Sequence, residues 1–139
     1  MDGGEGSWVV MRPVTALLLF GDFLVITALV AWGLTTHYVD PITRPLYLGR
    51  TVAPFLVGWL VMAPLAGAFS ADALSSLTRM VIAASAGWVG AALVGVALRA
   101  TPLHPGGADP VFVLVMVGFG LLVVIPWRVA VVVVAGSRW

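Results

Sequence analysis

The sequence predicts an all-α polytopic membrane protein, four transmembrane helices in an up-down-up-down bundle. Three observations predict it. Hydrophobic residues make up 61% of the 139-residue chain and charged residues only 9%, against about a quarter charged in a typical soluble domain. The apolar residues gather into four runs at about 14–36, 51–69, 79–99 and 111–135, each near the roughly 20 residues a hydrocarbon core requires. The connections between them are short, which places consecutive helices side by side and antiparallel. Residues 1–139 therefore read as one integral membrane domain, with a short flexible arm over 1–12. A net charge of +1 without a basic run implies no nucleic-acid partner. Cysteine is absent, so disulfides, thiolate metal sites and thiol nucleophiles are excluded.

The first run, with "ALLLFGDFLVITALVAW" at 16–32, would be an ordinary span but for Asp22 near its middle. A carboxylate at such depth costs on the order of 3 kcal/mol on insertion scales and calls for a partner. The second run opens near Thr51, a candidate cap, with Pro54 in its first turn and Pro64 further in. Ser75, Ser76 and Thr78 offer caps to the third run. That run places Ala83, Gly87, Ala91 and Gly95 at four-residue spacing with Gly90 alongside. Such a smooth face lets another helix approach closely, within the chain or between copies of it. Asp109-Pro110 reads as a cap followed by proline at the first helical position of the fourth run, and Pro126 lies inside it.

Arg128, near the end of the fourth run, answers the question Asp22 raises. At ~1.5 Å per residue, Asp22 lies about 12 Å and Arg128 about 10 Å in from the side of the termini. A bundle that brings the first and fourth spans together lets carboxylate and guanidinium meet. Such a pair either fixes helix order and rotation or serves a proton or substrate path. Trp59, Trp88 and Trp127 stand near the same layer as candidate aromatic lining; each buried indole N–H requires an acceptor.

At the other membrane face Arg44, Arg50 and Arg99 form a set of guanidiniums suited to lipid phosphate or another anion. His37 and Asp40 in one loop, His104 and Asp109 in another, lack ligand spacing, because the aspartates are explained as turn and cap residues. No metal site, cofactor or catalytic residue is expected. Arg12, Arg79 and Arg138, with Arg128 nearby, lie on the side of the termini, so the positive-inside rule predicts cytoplasmic termini.

The run "GDFLVITALVAWG", then "TVAPFLVGWLVMAPLAGAF", "GWVGAALVGVALRATPLH" and "FVLVMVGFGLLVVIPWR", resembles the small four-span membrane proteins of the domain of unknown function 3054 family. The most specific elements are Gly21-Asp22, the stretch from Pro54 to Trp59, Arg99, and Trp127-Arg128. The resemblance implies the four-span topology and the plasma membrane of an archaeon, often a halophile, or of an actinobacterium. It implies no activity. The expected role is therefore noncatalytic, an accessory or structural component with a buried Asp22/Arg128 pair; the alternative is a small proton-coupled transporter or channel component using Asp22 as its protonatable site. Expected partners are membrane lipids and a homo-oligomer or larger membrane complex.

Overall fold

A computed structural model describes residues 13–102 and 109–136. The expected arm over 1–12, and Arg12, His104 and Arg138, lie outside the described residues. Four long helices and one short one follow in order: α1 (Pro13–Thr36), α2 (Pro45–Leu65), α3 (Ala71–Ser75), α4 (Leu77–Arg99) and α5 (Pro110–Gly136). The four long helices are each long and apolar enough to cross a membrane, and no described residue belongs to a strand.

Local chemistry sets most of the boundaries. Proline opens α1, α2 and α5, where its missing N–H would have had no helical partner. Asp109 accepts a hydrogen bond from the Val111 N–H at 3.0 Å, capping α5. Of the three hydroxyls offered to α4, Ser76 takes the cap, accepting from the Arg79 N–H at 3.3 Å.

The second span lies further toward the N-terminus than its hydropathy suggests. α2 starts at Pro45, two turns before Thr51, and ends at Leu65 instead of running to 69. Thr51 is no cap: its hydroxyl donates back to the Tyr47 carbonyl at 2.8 Å inside the helix, and Pro54 is an interior residue. Pro45 outcompetes Thr51 because its fixed φ already suits a first turn. At the other end the Ala68 N–H bonds the Ala63 carbonyl and the Gly67 N–H bonds the Pro64 carbonyl, the paired pattern that closes a helix around a left-handed residue. Gly67 is that residue, with φ +84. The chain then turns inward, burying Ala68, Phe69, Ala73 and Leu74.

By backbone approach the long helices form a ring in which α1 lies against α2 and α5, and α4 against the same two, while side chains reach across it, the Phe55 ring on α2 lying 6.0 Å from that of Phe112 on α5. α3 packs on α4 and α5, closing one end. The small face of α4 is used inside the chain, against α2. Gly87 lies beside Ala63, Gly90 beside Met62 and Gly95 beside the Phe55 ring, while Gly58 of α2 approaches the backbone at Ala91. A Cβ on Gly95 would stand 2.5 Å from Phe55 Cδ1, and one on Gly58 2.5 Å from the Ala91 carbonyl oxygen. Ala83 and Ala91 are buried.

Candidate functional site: a sealed ion pair

Asp22, on α1, and Arg128, on α5, are both fully buried, each with 0% exposure. They meet side by side. Arg128 Nε donates to Asp22 Oδ1 at 2.9 Å while Nη2 donates to Oδ2. This two-pronged geometry uses the planar fork of arginine and holds both partners in one orientation.

Two indoles complete the carboxylate's shell. Trp59, on α2, donates through Nε1 to Oδ2 at 3.1 Å, and Trp127, beside Arg128 on α5, donates to Oδ1 at 3.0 Å. A carboxylate offers roughly four lone-pair positions, and each oxygen here accepts from one indole and one guanidinium N–H. The donors come from two helices other than its own. Asp22 thereby ties α1 to α2 and α5 at once.

The guanidinium is equally enclosed. Nη1 donates to the Ala68 carbonyl in the turn after α2 and lies 3.6 Å from Met80 Sδ on α4. Its plane sits 4.5 Å from the Phe69 ring centroid and 5.2 Å from that of Trp59. These aromatic faces favour a cation stripped of water. Arg128 therefore reaches α1, the end-closing turn and α4 from its place on α5.

Two glycines make room for the indoles. A Cβ on Gly21 would fall 1.8 Å from Trp127 Cζ2, so the ring that serves Asp22 occupies the notch left by the preceding residue. Gly120 makes the corresponding notch for Trp88, whose Nε1 a Cβ there would meet at 2.0 Å. Trp88 does not join the carboxylate. It donates instead to the Met116 carbonyl on α5 at 3.1 Å, and its ring packs against Trp59 and Phe55 with centroids 6.5 and 6.4 Å apart. Sequence reasoning named all three tryptophans but missed Ala68, Phe69 and Met80, and it missed the notch at Gly120. Phe69 carries a faint signal as an aromatic residue in a loop beside a span; a backbone carbonyl carries none.

Arg44, Arg50 and Arg99, the set expected at the other membrane face, stand apart from this centre. Arg44 is exposed with its guanidinium carbon 5.0 Å from the Tyr47 ring centroid; Arg99 is half-buried, 4.3 Å from that of Phe112; Arg50 is exposed. Among the described residues no three His, Cys, Asp or Glu side chains are grouped to hold a metal ion.

A protein-family model described as "Protein of unknown function (DUF3054)" matches residues 19–131, a stretch that contains Asp22, Trp59, Trp88, Arg99, Trp127 and Arg128. No curated protein and no solved structure matches the chain.

Proposed function

This chain belongs to the DUF3054 family, and we propose that it is a noncatalytic component of a plasma membrane, multi-pass with both termini in the cytoplasm, in which the Asp22/Arg128 pair locks helix order and rotation. One observation carries the reading: both oxygens of the buried carboxylate are occupied by donors from α2 and α5. A site of that kind does its work by being closed. Its acceptor positions are spent on holding three helices, leaving none turned toward an incoming ligand. Membrane lipid surrounds the bundle, and assembly occurs with further copies or within a larger complex.

The competing reading, a small proton-coupled transporter, draws on the depth of an ionisable residue inside a span. Asp22→Asn separates the two. It keeps the side-chain shape and one acceptor oxygen but removes the charge facing Arg128. A structural lock predicts a poorly assembled, readily aggregating protein when the variant is purified in mild detergent and sized by chromatography. A transporter predicts a normally folded variant that has lost pH-driven flux in proteoliposomes; that result overturns the structural reading.

A further inference from the structure

The segment between α2 and α4 is a short amphipathic strap between two joints. It begins beside Gly67, held at φ +84, and ends at Ser76, where φ -143 and ψ 124 put one extended residue between α3 and α4. Between these joints it is braced within itself. The Ser70 hydroxyl donates to the Gly67 carbonyl at 2.7 Å and accepts from the Ala73 N–H at 3.2 Å, and the Leu74 N–H bonds the Ser70 carbonyl at 3.1 Å. Its two faces differ: Ala68, Phe69, Ala73 and Leu74 are buried, whereas Asp72 and Ser75 are exposed.

Beyond its apolar burial, the strap is kept down by two polar holds of unequal strength. On the outside Asp72 stands 3.8 Å from Arg79, an exposed ion pair of the kind that contributes little. On the inside Arg128 Nη1 donates to the Ala68 carbonyl, and the guanidinium carbon lies 4.5 Å from the Phe69 ring centroid. These are a charge-assisted hydrogen bond and a cation–π contact away from water. The inner hold depends on Asp22: the guanidinium is planar and rigid, so its bonds from Nε and Nη2 to the carboxylate fix the direction in which Nη1 points. Among the described residues against the guanidinium, Asp22, Trp59 and Met80 stand on long helices, while Ala68 and Phe69 do not. Lifting the strap therefore uncovers the pair without unwinding a long helix, a local opening of the sub-global kind.

We propose that residues 66–76 form a gate over the buried pair, hinged at Gly67 and Ser76, with Arg128 as its latch. The proposal rests on the reading of the Asp22/Arg128 pair as a lock and adds a linkage to it. The closed strap keeps water from the pair, and the pair in place keeps the strap closed. Separating the charges turns Nη1 off the Ala68 carbonyl and frees the strap; lifting the strap admits water, which weakens the attraction between the charges. Opening at this end and loss of the interior pair are thus one event. The seam between α2 and α4, packed at Gly87, Gly90 and Gly95, stays shut throughout.

The chain contains no cysteine, so a single introduced thiol reports on the strap. Ala73→Cys places it on the strap's buried side, at a position 1% exposed, and Ala92→Cys places a control in the far half of α4, at a position 0% exposed. Each full-length variant is treated in mild detergent with a water-soluble maleimide, with thermal unfolding as a check of folding. Slow labelling is expected at both positions in the otherwise native chain. Arg128→Lys keeps a cation for Asp22 but gives up the fork, so it speeds labelling at position 73 about tenfold or more while position 92 stays protected. Asp72→Asn removes the outer hold alone and leaves position 73 slow. Fast labelling at 73 in the native background, an unchanged rate at 73 in a folded Arg128→Lys protein, equal acceleration at 73 and 92, or the same acceleration by Asp72→Asn overturns the proposal. A folded Arg128→Lys protein that unfolds at lower temperature without selective labelling at 73 keeps the lock and removes the gate, so the two failures are told apart. If Arg128→Lys does not fold, Phe69→Ala, which leaves both charges in place, supplies the same decision through the same two rates.

Discussion

Asp22 accepts four hydrogen bonds from three side chains, and its replacement has a calculable direction. Asp22→Asn leaves the Arg128 guanidinium charged and enclosed, with 0% exposure and no anion beside it. Removing one member of a buried pair costs about 3–5 kcal/mol, a loss readable as a lowered unfolding temperature in detergent. Trp88→Phe is milder. It deletes the bond to the Met116 carbonyl while keeping most of the ring, so about 1 kcal/mol is expected from the same measurement. Asp22 and Arg128 were legible in the sequence because charges are rare in apolar runs and depth follows from simple counting. The two indoles were legible as residue types needing an acceptor, but not as to which acceptor each finds: Trp59 and Trp127 reach the carboxylate, while Trp88 is turned away by its seat at Gly120. The Ala68 carbonyl was invisible, since every residue has one.

Among the helices, close fit is concentrated at particular glycines, and substitutions at them should sort into two classes. Gly21→Ala and Gly120→Ala force a methyl into the rings of Trp127 and Trp88, so each should destabilise by about 1–3 kcal/mol. Gly33→Ala and Gly118→Ala meet nothing within 4 Å and should be neutral or slightly stabilising, because alanine is the better helix former. Parallel unfolding curves for the four variants check this. The smooth face of α4 was readable from its four-residue spacing, and α2 is the neighbour that uses it. The start of α2 was misplaced because hydropathy averages over "PLYLGR", where arginine and glycine dilute the apolar signal; the proline six residues earlier than Thr51 was the better marker.

Across the whole molecule, the ring order brings α1 beside α5, and without that adjacency neither charge could be accommodated in a bilayer. Short connections made the order of neighbours foreseeable. The turn after α2 was not, because Gly67 sends the chain inward under the bundle and delivers Phe69 and a carbonyl to Arg128. The pair therefore couples all four long helices, α2 through Trp59 and α4 through Met80, and the end-closing segment with them. Its mutual dependence is measured most directly by a double-mutant cycle of Asp22→Asn, Arg128→Gln and the two together, followed by thermal unfolding of the full chain in mild detergent. The structural lock predicts that the double variant loses less than the sum of the two single losses, with a coupling energy of about 2–3 kcal/mol. Additive losses, or a fully stable Asp22→Asn protein, would contradict it.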